Sequence, residues 1–305
     1  MSSISILGIY VADLVFFGQK IPVEGETILG NNFVIGPGGK GSNQAVAAAK
    51  AGAKTYFISK IGDDHFGSMA IKIYDEAGVD YSKVIISSDH ATGAAGILVD
   101  QQSGKNAINV VPGAASSLTN QDIDQSFDVI KNSEVFLTQL EAPKEVVFYS
   151  LKIAHDTNVT TILNPAPAAS IHQNIFPLID YFTPNETEAS FYVNHKVETQ
   201  VEVKEAANQL LDKGIKNVII TLGDKGSYFA NKNESFMVEA FDLASKVVDT
   251  TGAGDAFNAG LAVALTEGKS IMETIQFANA VGGLSATKIG TAKSMPRREE
   301  IDNLL

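Results

Sequence analysis

The chain has 305 residues, 45% of them apolar, enough to bury the core of one large α/β domain or of two smaller ones. A net charge of −12 argues against nucleic-acid or anionic-membrane partners, which need basic surfaces, while leaving room for a nucleotide held by Mg²⁺ and helix termini. With no cysteine present, disulfides, thiolate metal sites and cysteine nucleophiles are excluded.

The first β-branched run, Ile4–Tyr10, reads as a strand with Asp13 just beyond it. The segment from Met1 to Tyr10 lacks a basic region and meets Asp13 too soon for a signal peptide or a membrane span. No other segment approaches a span without charges, so a cytoplasmic location is expected. Thr27–Ile35 reads as another strand and leads into Gly36-Pro37-Gly38-Gly39-Lys40-Gly41. That run formally matches the dinucleotide fingerprint, but its acidic partner about 20 residues on is missing at the right place. A Walker A loop also fails, because Gly41 rather than Ser or Thr follows Lys40. Two readings remain: a close-approach backbone from which Lys40 and Asn43 contact a small polar ligand, or a tight turn capped by Ser42 and closed after the helix by Gly52.

Helical patterns over Asn43–Ala51 and Phe66–Glu76 flank a strand at Thr55–Lys60. Gly93–Asp100 and Ala107–Val111 follow as strands with no long helix between them. Together with Thr27–Ile35 they suggest a small, mainly antiparallel sheet inserted from two places, roughly 11–37 and 91–112, into a single domain spanning 1–305. Such a sheet would serve as a lid or an interface; otherwise these strands extend the main sheet. The remainder alternates regularly: strands at Val135–Leu140, Val159–Leu163, Tyr181–Thr183 and Asn217–Leu222, helices at Pro143–Asp156, Val203–Lys213, Gly254–Glu267 and Ile271–Thr287. The pattern predicts an α/β fold with a mainly parallel sheet and helices on both faces.

Polar groups recur where such sheets gather function, at the carboxyl ends of strands. Asp13, Glu141, Asn185, Glu188 and Gly223 all lie there and point to one crevice. Thr183-Pro184-Asn185-Glu186 reads as a capping box that makes Glu186 structural and leaves Asn185 and Glu188 for phosphates and Mg²⁺. Thr221-Leu222-Gly223-Asp224-Lys225-Gly226 is either a hairpin turn or the floor of a nucleotide site. His65, His90, His155, His172 and His195 show no metal-ligand spacing. In Asp249-Thr250-Thr251-Gly252-Ala253-Gly254-Asp255-Ala256-Phe257, small residues precede a carboxylate in the first turn of a helix. Asp255 there either complements the helix dipole or takes a proton from an alcohol beside a backbone anion hole.

These motifs, in this order and nearly end to end, resemble the ribokinase branch of the ribokinase/PfkB carbohydrate kinase family. The run Gly38 to Ala45 is similar to its first signature and Asp249 to Phe257 to its second. Asn164-Pro165-Ala166-Pro167-Ala168, Thr183 to Glu188 and Thr221-Leu222-Gly223 are similar to intermediate runs of the same branch. The resemblance implies a three-layer α/β/α sandwich with a β-sheet lid that often mediates a homodimer. It implies transfer of the ATP γ-phosphoryl to the terminal hydroxyl of a pentose, D-ribose first, with Mg²⁺ and K⁺. Asp255 would be the general base, and Gly252, Ala253 and Gly254 the anion hole. Asp13, Gly39, Lys40, Asn43 and Glu141 would hold the sugar. Asn185 and Glu188 would organise Mg²⁺ and phosphates through water, and Thr221, Gly223, Gly226 and Asn279 would line the adenosine site. Asp249, Thr251, Ser285, Lys288, Gly290 and Ser294 would form the monovalent-cation site.

Two positions depart from the branch's pattern. Its Gly-x-x-Asn-x-Asp is Gly8-Ile9-Tyr10-Val11-Ala12-Asp13 here, and its Gly-Ala-Asn is Gly113-Ala114-Ala115. Two amides that would contact the sugar are therefore Val11 and Ala115, so 2-deoxyribose or another small sugar or nucleoside is the alternative acceptor. A non-catalytic sugar or nucleotide sensor is a further alternative, and an NAD-dependent oxidoreductase would rest on Gly36 to Gly41 alone.

Overall fold

The computed structural model describes residues 3–305. The chain opens with β1 (Ser3–Leu7), whose five residues are all buried, as a central strand requires. Three buried residues later it enters β2 (Val11–Gly18), which turns back through β3 (Asn32–Gly38). Then come β4 (Lys54–Gly62) and β5 (Asp80–Ser87). A hairpin of β6 (Thr92–Asp100) and β7 (Asn106–Gly113) follows. Short buried strands β8 (Val135–Thr138), β9 (Thr160–Leu163) and β10 (Tyr181–Phe182) continue the body. It closes with β11 (Asn217–Thr221), β12 (Ser227–Asn231) and β13 (Ser235–Val238).

Nine strands form one sheet in the order β13-β12-β11-β10-β9-β8-β1-β4-β5, parallel except for β12 and β13 at one edge. Helices cover both faces. On one lie α1 (Lys40–Lys50) and α2 (His65–Ala77); on the other lie the short α3 (Asn120–Asp124) and α4 (Phe127–Lys131), then α5 (Lys144–Asp156), α6 (Glu186–Val193) and α7 (Gln200–Asp212). The first face is completed by α8 (Ala253–Thr266), α9 (Ile271–Ser285) and α10 (Arg298–Asp302). Every residue of α8 from Asp255 to Ala264 is buried, and its small side chains let α9 pack closely against it. This is the expected three-layer sandwich.

The odd strands form a separate sheet, β3-β2-β6-β7, rather than extending the main one. Its outer pairings are antiparallel, and the central β2–β6 pair is parallel. Several element limits move. Thr27–Ile35 is not one strand: residues 27–31 are irregular, and pairing runs from Asn32 to Gly38. Asp13 does not follow the first strand but lies within β2, because the buried run through Tyr10 carries the chain straight from one sheet into the other. The first helix begins at Lys40 with Gly39 as its cap, so Ser42 is no cap; its hydroxyl accepts from Tyr74 inside the core.

Candidate active site

Four elements aim carboxylates into one crevice at the carboxyl ends of the main strands. Asp255 sits at the third position of α8, 6% exposed; Asn43 Nδ2 donates to its Oδ2 at 2.9 Å and Gln44 Nε2 to its Oδ1 at 3.3 Å. Asp13 comes from β2, Glu141 from the turn after β8 and Glu188 from α6. Lys40, on α1, is the cation among them: its charge acts on Asp255, Glu141 and Glu188, and its backbone N–H donates to Glu141 Oε2 at 2.8 Å.

Crowding and burial set the electrostatics. Burial, reinforced by the charge of Asp255, pushes the Asp13 carboxyl up to about 6. Burial pushes Glu141 up to about 7 against the pull of Lys40. Asp255 is raised by burial too, opposed by Lys40, Asn43 and Gln44, while Lys40 itself is raised chiefly by Asp255. A buried carboxylate with a raised pKa is suited to taking a proton near neutral pH.

The glycines explain how the groups fit. A Cβ on Gly38 would lie 2.3 Å from Asp13 Oδ1, so only glycine lets β3 pass beside that carboxylate. Gly252 caps α8 with φ +81°, in the left-handed region, and no side chain caps the helix. Among the described residues, no oxygen accepts from the backbone N–H of Gly252, Gly254 or Asp255, whereas Ala253 N–H is taken by Thr250. Unpaired amides at a helix N-terminus that is open on one side form an anion cradle.

Asn185 and Glu188 prove to be the capping box themselves. Asn185 Oδ1 accepts from Glu188 N at 2.8 Å, and Glu188 Oε2 accepts from Asn185 N at 2.9 Å. The box expected at Thr183 and Glu186 is thereby displaced by two residues, since Pro184 precedes the helix instead of opening it. Burial raises the Glu188 carboxyl, against its bond from Asn185 and the charge of Lys40. No cluster of three potential metal-ligating side chains occurs among the described residues, so a divalent ion here would depend on water and phosphate oxygens, as Mg²⁺ does.

The edge of the crevice is lined by Thr221, whose N–H donates to Pro184, and by the turn Gly223–Lys225, which joins β11 to β12 as a hairpin. Asn279 lies nearby on α9, with Nδ2 committed to the carbonyls of Val238 and Glu239 and Oδ1 accepting from Ser227; it shapes the wall. At the start of the α8 loop, the Asp249 carboxylate accepts from Thr251 N and Gly290 N, both at 2.9 Å. Its burial would raise the carboxyl, but these bonds win and lower it. Ser294 Oγ donates to Thr291 O, Ser285 Oγ to Gly282 O, and Lys288 pairs with Glu300. Asp249 offers a carboxylate oxygen, a ligand type that suits a hard cation better than a transition metal.

Residues outside the sequence-derived set also meet here. Gln44, Gln139, Asn164, Thr183 and Asn258 form a buried polar chain behind Asp255. Gln44, Asn164 and Thr183 fell inside recognised runs; nothing in the spacing marked Gln139 or Asn258.

Residues 1–298 match the family model of the pfkB family of carbohydrate kinases. The chain is 40% identical over 298 residues to the ribokinase of Haemophilus influenzae, covering 98% of this chain and 96% of that one. It is 33% identical to a deoxyribokinase of Salmonella typhi, covering 99% and 98%. The solved structure of Arabidopsis thaliana ribokinase complexed with ribose and ATP superposes with a TM-score of 0.93 at 32% identity, over 100% of this chain and 99% of that one.

Proposed function

The chain belongs to the pfkB family of carbohydrate kinases, and from that membership we propose that it transfers the γ-phosphoryl group of ATP to the 5-hydroxyl of D-ribose. The observation that carries the reading is Asp255, held by two amides beside the free N–H groups of Gly252 and Gly254. The sugar oxygen forms a bond to the γ-phosphorus as the bond to ADP breaks. Asp255 takes the hydroxyl proton late in that process, because an alcohol is a far weaker acid than a carboxylic acid. Gly252, Ala253 and Gly254 steady the oxygens of the migrating group, and most of the acceleration comes from that cradle and from positioning.

Asp13, Gly39, Lys40, Asn43 and Glu141 hold the sugar under the small sheet, whose closure would keep water from competing. Thr221, Gly223, Gly226 and Asn279 border the adenosine. Mg²⁺ supplies charge neutralisation on the phosphates when bound, with Asn185 and Glu188 placed to hold its waters. A monovalent cation, K⁺ in this reading, fits the turn of Asp249, Thr251, Ser285, Lys288, Gly290 and Ser294, where it would brace the cradle without touching the reacting atoms.

A second acceptor, 2-deoxyribose, is favoured by Val11 and Ala115, 3% and 0% exposed in one apolar cluster with Ala95. An apolar wall discriminates far less against a missing hydroxyl than a hydrogen-bonding one, which rejects such analogues by roughly 10⁴–10⁵. ADP release with Mg·ATP and K⁺, measured across ribose, 2-deoxyribose, fructose and adenosine, tests both. The highest kcat/KM for ribose supports the first reading, and the highest for 2-deoxyribose the second. Release with adenosine alone, or with none of them, removes both.

A further inference from the structure

We infer that Gln44 is a positioning residue for Asp255, the anchor of a buried amide relay that fixes the carboxylate and the anion-cradle turn as one unit. The role in turnover rests on the kinase reading above; the relay itself rests on geometry. Gln44 is fully buried behind Asp255 and out of reach of a sugar. Its Nε2 donates to Asp255 Oδ1 at 3.3 Å and to Asn164 Oδ1 at 3.2 Å, and its Oε1 accepts from Gln139 Nε2. Asn164 Nδ2 donates to the Thr183 carbonyl at 3.3 Å, and Thr183 Oγ1 donates to Asn258 Oδ1 at 2.6 Å. Asn258 Nδ2 closes the path on the carbonyl of Gly254 at 2.8 Å. Four residues from α1, α8 and the ends of β9 and β10 thus join the base to the turn that would cradle the phosphoryl group, with Gln139, from the end of β8, held on Gln44 as a branch.

The polarity of this path is determined. A backbone carbonyl only accepts, so the Gly254 carbonyl forces Asn258 Nδ2 towards it and the Thr183 carbonyl forces Asn164 Nδ2 towards it. Asn164 Oδ1 then faces Gln44, which must present Nε2. Gln44 can therefore only donate to Asp255, and a donor favours the ionised carboxylate. The charged groups acting at Asp255 are Lys40 from α1, Asp13 from β2, Glu141 from the turn after β8 and Glu188 from α6. Only Lys40 among them favours ionisation, so the neutral donors Asn43 and Gln44 supply the rest.

Gln44→Met keeps the volume and removes the donor; Gln44→Glu keeps the shape and adds a repelling charge. Two measurements test them: kcat and KM for the best sugar as a function of pH, and titration of the Asp255 carboxyl by ¹³C NMR, assigned by its loss in Asp255→Asn. For Gln44→Met we expect kcat to fall about 10- to 100-fold with the sugar KM within about threefold, and the acid limb of the rate profile to rise by about one pH unit. The NMR midpoint should rise with it, and further in Gln44→Glu. A midpoint unchanged in both folded variants overturns the relay, even where kcat falls. A midpoint raised in the variants, alongside a wild-type protein that phosphorylates none of the sugars, leaves the relay standing and removes the kinase reading. If one variant fails to fold, the other decides.

Discussion

In the proposed reaction Asp255 concentrates the chemistry into one buried carboxylate, partnered by Asn43 and Gln44. Asp255→Asn retains the volume and can keep the bond from Gln44 through its amide oxygen, but its Nδ2 cannot accept from Asn43 and the side chain cannot take the proton. Steady-state kinetics should show kcat lower by about 10²–10⁴ with sugar KM within a few fold. Equal losses in both parameters would make Asp255 a ligand anchor instead. Glu141 shows the cost of gathering such groups. Its carboxyl rises from an ordinary 4.5 to about 7 in the folded chain, so folding favours the protonated form. That contribution to stability is full below the unfolded value and is lost as pH rises through about 7. Glu141→Gln should therefore raise Tm at pH 8 and leave it unchanged at pH 4, as thermal denaturation at the two pH values would reveal. At the sugar wall, Val11→Asn should shift the kcat/KM ratio towards ribose over 2-deoxyribose; an unmoved ratio takes Val11 out of specificity.

Individual elements carry double duty, and α6 is the clearest case. Its capping residues, Asn185 and Glu188, are also the groups proposed to hold Mg²⁺ waters. Glutamine completes a capping box as well as glutamate does. Glu188→Gln should thus keep Tm within about a degree while raising the Mg²⁺ concentration for half-maximal rate about tenfold. A fall in Tm with unchanged Mg²⁺ dependence would make Glu188 a cap and nothing more. The sequence marked this helix start but put the box two residues early, since a proline before a helix and one inside its first turn look alike in a linear pattern. Strand β2 was invisible for a related reason. Ile9, Tyr10, Val11 and Ala12 are all buried, so hydrophobicity does not dip where the chain leaves one sheet for the other. Strand β5 begins Asp-Tyr-Ser-Lys at the sheet edge, with Ile86 58% exposed, and so lacks the apolar run that betrays a central strand.

Across the whole molecule, the small sheet is the part left uncovered. On one face Phe16 and Phe33 stack at 4.7 Å while 45% and 47% exposed, and on the other Ile108 and Val110 are about half exposed. Apolar sheet faces of this kind seek a partner, and a second copy of the chain is the expected one. Sedimentation should show a dimer at micromolar concentration that Phe16→Glu combined with Ile108→Glu converts to monomer. A wild-type monomer, or a variant that still dimerises, would reject that assembly. The sheet is also tied to the turn that follows α9, for Thr291 Oγ1 donates to the Pro37 carbonyl at the foot of β3 at 2.6 Å.

The linear pattern alone yields the fold class, the two glycine-bounded helices to within about three residues of their starts, and the residues around which the crevice is built. These depend on local rules: period, helix-terminus chemistry and the close approach that only glycine permits. The folded chain alone settles that Asp13 lies within a strand paired to both β3 and β6, and that Gln44, Asn164 and Asn258 share one hydrogen-bonded path to the base. Those facts come from elements up to 211 residues apart meeting in space, and a hydrogen bond between them leaves no mark on the spacing of either partner.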